Sequence, residues 1–508
     1  MLDLLLVPIA VVYLAVIGLL FIYGINFFYL TFLAWRYKDA RVEPPSQTEW
    51  PAVTVQLPIY NELYVAERLI NAIANFDYPS DRLEIQVLDD STDETVQVVA
   101  RAVERVSARG IRICHVQRAE RVGYKAGALA NGLALARGEY LAIFDADFVP
   151  PADFLKRTLP HFQDPRLAFV QTRWGHLNRK YSFLTFLQSL AIDAHFVVEQ
   201  FARSRHGYWF NFNGTAGVWR RTALEDAGGW TADTLTEDLD LSYRAFLRGW
   251  QALYLRDVVA PAELPVSFSA YRRQQHRWAR GSLECAFKLL PSIWSAPISL
   301  PAKIQATLHL TGYAVHLLLF ALVFLYPLVL VFSQSYPSLL SLFGLGIVFN
   351  VTAFAPALFF VLAQQQLGRR GWLMLPVILF ITALGAGMIL NTVRGALQIA
   401  LGRNDVFERT PKFGIVNQPQ VWTRRRYQLR LDSIVVFEIA LALFDLGTIF
   451  LAISDRNWGI AVYATLFCSG LLFASGTTIA QAWAVRRQQN SRALQNALAA
   501  PDTTFSQV

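Results

Sequence analysis

Three short stretches of this chain gather acids or cations at spacings that could do chemistry. Asp145 and Asp147, in "YLAIFDADFVP" (residues 140–150), follow an apolar run. Two apart on extended chain, their side chains point the same way. Such a pair can hold Mg2+ or Mn2+, hard ions that keep their other positions for phosphate oxygens and water. The stretch "TLTEDLDLSYR" (234–244) packs Glu237, Asp238 and Asp240 into four residues of a chain whose formal charge is +8. Thr236 could N-cap a helix there, and acids in a first turn complement the helix dipole. In "YRRQQHRWARGS" (271–282), Arg277 is a fixed cation and Trp278 a flat apolar face. Gln274 lies one helical turn from both, so all three can reach one cleft.

These residues need a scaffold, and a repeating pattern supplies it. Apolar strands are expected at 52–57, 83–88, 111–116 and 140–144, separated by helical patterns at 62–75, 95–109 and 124–136. That alternation means βαβ units and a mostly parallel sheet, with ligands beyond the carboxyl ends of the strands. The residues just past those ends are Tyr60 and Glu62, Asp89 and Asp90, and Asp145 and Asp147. Acids at three strand ends suit a nucleotide and a metal. Lys125, in "GYKAGALANG", precedes a helix and could meet a phosphate. No Gly-x-Gly-x-x-Gly follows the first strand and no Walker A motif occurs, which argues against a dinucleotide enzyme and an ATPase.

Hydrophobic residues make up 54% of the 508 and charged ones 17%, too apolar for an ordinary soluble protein. The excess sits in the first 35 residues and the last 200. Residues 4–34 read as a transmembrane helix with its N-terminus outside and its basic end, Arg36 and Lys38, inside. Runs at 308–332, 339–363, 433–453 and 458–485 are long enough to span, giving five crossings with the basic clusters inside and the soluble domain cytoplasmic. A further run at 372–390 has arginines on both sides, so the segment 372–401 is read as interfacial or re-entrant. The resulting division is 1–38, 39–300, 301–366, 367–430, 431–486 and a polar tail at 487–508. The basic residues collect beside apolar segments, so they read as membrane flanks and not as a nucleic-acid surface; "RRRYQLR" (424–430) is expected to be such an anchor. The three cysteines are far apart and fit small buried hydrophobes in a reducing compartment. Glu438 and Asp445 share one face of a span, as do His309 and His316 of another, and could line a path for something rich in hydroxyls.

Taken in order, Asp90, Asp145-Ala146-Asp147, Thr236-Glu237-Asp238 and Gln274-Gln275-His276-Arg277-Trp278 resemble the motif series of the processive glycosyltransferases of family 2, the cellulose synthase group. The segments "FVQTRWGHLN", "DAHFVVEQ", "FNGTAGVWRR", "AGGW" and "QQHRWARG" look like the cellulose-synthase-like A and C groups, which make mannan, glucomannan or glucan backbones. The resemblance implies a cytoplasmic GT-A fold, a Rossmann-like mostly parallel α/β domain, beside a helical membrane domain of about five spans with interfacial helices. It implies a GDP-mannose or UDP-glucose donor, held at Tyr60, Glu62, Asp89, Asp90, Lys125 and Asp145, with the metal on Asp145 and Asp147. Asp238 would be the general base of an inverting transfer, and Glu237 and Arg277 would complete the catalytic set. The acceptor chain would meet Trp278, Gln274, Phe212, Asn213, Gly214 and Thr215. "FERTPK" resembles the family's gating loop through Phe407, Thr410 and Lys412, with Arg409 where the pattern has valine. The polymer would leave through the protein's own channel, from a plasma, inner or Golgi membrane. The alternative is a ceramide-glucosyltransferase-like enzyme that adds one sugar to a membrane lipid. A non-enzymatic receptor or scaffold would not need all these acids.

Overall fold

A computed structural model describes residues 2–47, 49–335, 351–403, 408–416, 421–428 and 431–499. Seven strands form one sheet: β1 (Val53–Ile59), β2 (Leu83–Asp89), β3 (Ile113–Val116), β4 (Tyr140–Ile143), β5 (Leu167–His176), β6 (Gly217–Arg220) and β7 (Gln251–Ala262). Their order is β3-β2-β1-β4-β6-β5-β7. The first four are parallel, β6 runs antiparallel to β4 and β5, and β7 is parallel to β5. This is the expected GT-A-like sheet. Central strands β1 and β2 are buried along almost their whole length, as befits strands covered by helices on both faces. The chain order turns back at β1, between β2 and β4, so a crevice opens beyond the carboxyl ends of those three strands.

The helices that pack on or lead away from the sheet are α1 (Leu2–Arg36), α2 (Ala66–Ile73), α3 (Thr95–Ser107), α4 (Tyr124–Leu135), α5 (Phe154–Thr158), α6 (Phe183–Ala194), α7 (Phe201–Arg205), α8 (Arg221–Asp226) and α9 (Glu237–Leu247). The long α10 (Phe268–Ser295) follows, then α11 (Leu300–Leu310), α12 (Ala314–Ser335), α13 (Ala355–Gln366), α14 (Leu375–Gly387), α15 (Ile389–Ala400), α16 (Ile434–Ser454) and α17 (Trp458–Ala499). A π-helical turn, His195–Gln200, joins α6 to α7.

Among the described residues, five stretches are long and apolar enough to cross a membrane: Val7–Arg36, Ala314–Phe332, Gly371–Ala400, Ile434–Ser454 and Trp458–Ser491. Their membership differs from expectation. The run at 339–363 lies in part outside the described residues, and its described end is split between a 3-10 turn and the short α13. Gly371–Ala400, expected to be interfacial or re-entrant, meets the length and composition of a span. It is not one rod: the chain breaks at Met388 between α14 and α15. The break packs on the middle of α17, where a Cβ on Gly470 would fall 1.9 Å from the Ala383 carbonyl oxygen. Both ends of the segment are tied to the sheet-bearing domain. Arg369 Nη1 donates to Asp193 Oδ2 (2.6 Å) on one side, and Arg280 Nη2 donates to the Arg403 carbonyl (2.6 Å) on the other.

Candidate active site

Every strand-end segment singled out by sequence converges on one cavity of about 170 Å³. Its walls carry Tyr60, Glu62, Asp90, Lys125, Asp145, Asp147, Asn213, Gly214, Glu237, Asp238, Gln274, Arg277, Trp278, Thr410 and Lys412. Asp145 and Asp147 both reach it, though not by extended-chain alternation: residues 146–147 form a turn directly after β4. Lys125 Nζ bridges the site. It pairs with Asp145 Oδ1 (2.6 Å), lies 3.8 Å from Glu237 Oε1 and donates to the Gly214 carbonyl (3.0 Å). Burial works against its charge, but Asp145 and Glu237 outweigh that and hold it above the ordinary lysine range. Lys412 Nζ reaches Asp147 Oδ2 (2.7 Å) and the Glu263 carbonyl (2.6 Å). No cluster of three or more His, Cys, Asp or Glu side chains suited to a metal is found among the described residues. A two-carboxylate set fits an ion that takes its remaining oxygens from a diphosphate and water.

The three crowded acids have three fates. Asp240 is fully buried, pairing with Arg244 Nε and Lys288 Nζ (both 2.7 Å), and so ties α9 to α10. Glu237 faces Lys125. Asp238 opens onto the cavity, and its carboxyl is raised to about 7 by burial and by Glu237, against the pull of Lys125. Thr236 stands at the N-cap position but makes no cap hydrogen bond. Its hydroxyl lies 3.5 Å from Cys285 Sγ. Gly214, at φ +76°, leaves the space Asp238 uses: a Cβ there would lie 2.9 Å from Asp238 Oδ2 and 3.3 Å from Lys125 Nζ. Burial raises Glu62 to about 8, with Asp147 adding and Arg409 opposing; Arg409 Nη1 lies 3.2 Å from its carboxylate.

Several expectations need correction. Asp89 is buried beneath the cavity, bonded to His115 Nε2 (2.8 Å) and to the Ser91 N–H, so it orders the strand end and cannot touch a ligand. Phe212 is fully buried against Phe169 and Trp219, and Thr215 is buried with its hydroxyl accepting the Asp145 N–H (2.9 Å). Neither can meet an acceptor; Thr215 instead fixes the backbone of the aspartate pair. Phe407 lies outside the described residues. "RRRYQLR" is not merely an anchor: Arg425 stacks on Tyr64 (4.4 Å), Arg426 pairs with Glu94 and Tyr427 bonds Asp93. Glu438 faces Arg272, not a cavity. Cys114 is exposed. The sequence reading also missed residues of the site. Arg118 grips Asp90 through both oxygens (3.0 and 2.5 Å), and Arg121 stacks 3.4 Å over the Tyr60 ring. Two arginines just past β3 were the available signal.

A second cavity, of about 470 Å³, abuts the first and runs toward α1 and α12. Trp174, Ile192, Asn213, Thr236, Asp238, Gln274 and Trp278 line both. Farther in are Gln188, His195, Glu199, His309 and His316. His195 Nδ1 contacts Glu199 Oε2 (3.0 Å) on the π-helical turn, and Arg203 Nε lies 3.3 Å from the other carboxylate oxygen. His309 bonds the Tyr243 hydroxyl (2.7 Å).

A sheet of this order, with paired acids past its strand ends, is GT-A-like, and residues 51–281 match the family model "Glycosyltransferase like family 2". That stretch is similar to the family, in line with the expected resemblance to the cellulose-synthase-like group. It is 45% identical over 274 residues to glucomannan 4-beta-mannosyltransferase 2 of Arabidopsis thaliana, covering 51% of each chain. It is 46% identical over 249 residues to the probable glucomannan 4-beta-mannosyltransferase 11 of Oryza sativa subsp. japonica, covering 48% of this chain and 44% of that one. The chain thus spans about half the length of the curated relatives it matches. Among solved structures, the mannosyltransferase PcManGT from Pyrobaculum calidifontis, in complex with GDP-Man and Mn2+, matches 78% of this chain and 100% of its own at 22% identity, with a TM-score of 0.50. That likeness bears on the fold.

Proposed function

We propose that the protein is a membrane-embedded, inverting glycosyltransferase that extends a β-linked mannan or glucomannan from GDP-mannose and passes the chain through its own membrane helices. The observation that carries this reading is the shared wall: Asp238, Trp278, Gln274 and Asn213 face a charged cavity on one side and a larger one directed at the membrane on the other. The glucomannan mannosyltransferase relatives support the mannosyl donor.

In this reading the diphosphate lies between Asp145, Asp147, Lys125 and Arg277. Mg2+ or Mn2+, held by the two aspartates, supplies charge neutralisation at the leaving group. Asp90 and Tyr60 face the nucleoside. The acceptor's terminal sugar stacks on Trp278, and its hydroxyl gives its proton to Asp238 as the oxygen bonds the anomeric carbon. The bond from that carbon to the diphosphate breaks, and GDP leaves with the electron pair. A carboxyl near 7 suits a base working at neutral pH. The segment carrying Arg409, Thr410 and Lys412 closes the donor side. Beyond Trp278, the buried Gln188 Oε1 and Trp174 Nε1 have no hydrogen-bond partner among the described residues, and both side chains line the larger cavity. A sugar chain's hydroxyls would satisfy them. We further propose that residues 371–400 re-enter the face they left, since Asp193 and Arg280 tether both ends to one domain. The catalytic domain then lies in the cytoplasm and the N-terminus outside.

Vesicles carrying the full chain, given labelled GDP-mannose and Mn2+, are expected to make long β-mannanase-sensitive product. Asp238→Asn is expected to lose at least about 10² in rate. A single-sugar lipid product would favour the lipid-acceptor alternative, and near-full turnover by Asp238→Asn would remove Asp238 as the base.

A further inference from the structure

We propose that Glu438, an acid on membrane helix α16, is a positioning residue for sugar transfer that acts through Arg272. The inference rests on the reading above of Gln274, Arg277 and Trp278, the next residues along the same helix. Arg272 lies in the second turn of α10, just ahead of them. Its guanidinium is 2% exposed and forms a two-bond fork with the fully buried Glu438 carboxylate: Nη1 to Oε1 at 2.5 Å and Nη2 to Oε2 at 3.1 Å. Nη2 also reaches Thr478 Oγ1 on α17 (3.1 Å).

The rest of the turn is fixed from the same side. Gln481 Oε1 of α17 accepts the Phe268 N–H (2.8 Å), and Asn391 Nδ2 of α15 donates to the Arg272 carbonyl (3.0 Å). The Asn391 carbonyl in turn lies 3.2 Å from His276 Nδ1. Three elements of the membrane domain thus grip α10 where its cavity-lining stretch begins.

Stability alone does not explain such a pair. Two well-packed apolar residues of the same volume usually hold a buried contact as firmly, because desolvating the charges consumes most of their attraction. A fork adds orientation: two parallel bonds fix both rotation and register. Slipping α10 by one residue would turn Arg272 off Glu438 and swing Trp278 and Arg277 with it. An error of about 1 Å at such groups costs on the order of 10²-fold in rate.

Glu438→Gln keeps the size and some hydrogen bonding but removes the charge. In purified full-length protein it is expected to speed amide exchange across residues 274–282 at least tenfold, while β1 and β2 stay protected. GDP release in the presence of acceptor should fall at least tenfold in kcat, with donor KM within threefold of the parent. The apolar pair Arg272→Met with Glu438→Leu is expected to match the parent's melting temperature without recovering kcat. Unchanged exchange on α10, full turnover by Glu438→Gln, or recovery of kcat by the apolar pair would each overturn the proposal. Exchange is read without donor, so a parent protein inert toward GDP-mannose would count against the donor and leave this claim decided by the exchange result.

Discussion

Asp238 and Glu237 are neighbours that both feel the Lys125 ammonium. Glu237 lies near the Lys125 ammonium, whereas Asp238 is raised to about 7 by burial and by Glu237. A base must be deprotonated, so turnover is expected to fall as pH drops through about 7. Glu237→Gln removes a cause of the rise, and the acid limb of the kcat/KM profile should then move to lower pH. A limb that stays put would separate Glu237 from the base. Gly214 makes a second test at this scale. Its φ of +76° already strains any other residue, and the added methyl would press on the Asp238 carboxylate. Gly214→Ala is expected to lose at least tenfold in kcat while the protein still purifies folded, and unchanged kcat would show the approach to be slack. At this scale the sequence was legible where side chains face the cavity, because acids past apolar strands have few other reasons to collect there. It was less legible in depth. Asp89 and Asp90 are adjacent, yet one is buried on His115 and the other faces the cavity, and composition does not say which.

Elements were legible in proportion to how local their signal is. β1, β2 and β4 each show as an apolar run bounded by a turn, and α4 as the helix between runs. β5, β6 and β7 were not expected. β6 has four residues and runs antiparallel, so the βαβ rhythm does not announce it. β7 mixes exposed and buried positions and includes Pro261. The membrane segments show the same limit. An apolar run gives length, but the break at Met388 is set by tertiary contact with α17. There Gly387 and Gly470 let two backbones approach. Gly470→Leu would place a side chain where the Ala383 carbonyl now lies, and overpacking of this kind costs about 1–3 kcal/mol or more. It is expected to lower the melting temperature by several degrees; an unchanged melt would mean that α14 does not rely on this crossing.

Across the whole molecule, the two domains share one working surface. α10 carries Gln274, Arg277 and Trp278 at the cavities and Arg272 against the apolar helix α16, so one helix links the two. The polar residues of the apolar C-terminal half divide accordingly. His309 and His316, expected on one span, lie on separate helices, α11 and α12, and both line the larger cavity, whereas the Glu438 carboxylate pairs with Arg272 of α10. Sequence spacing could pair Glu438 with Asp445 on one helix face, but it could not see an arginine 166 positions away. The most direct test of the account is a structure of the full chain in lipid with GDP-mannose, Mn2+ and a short β-mannan oligosaccharide. The account predicts the ion on Asp145 and Asp147, the terminal sugar on Trp278 with a hydroxyl on the Asp238 carboxylate, and the rest of the chain in the cavity leading to α1 and α12. An oligosaccharide bound elsewhere, or Asp238 turned away from the anomeric carbon, would contradict it.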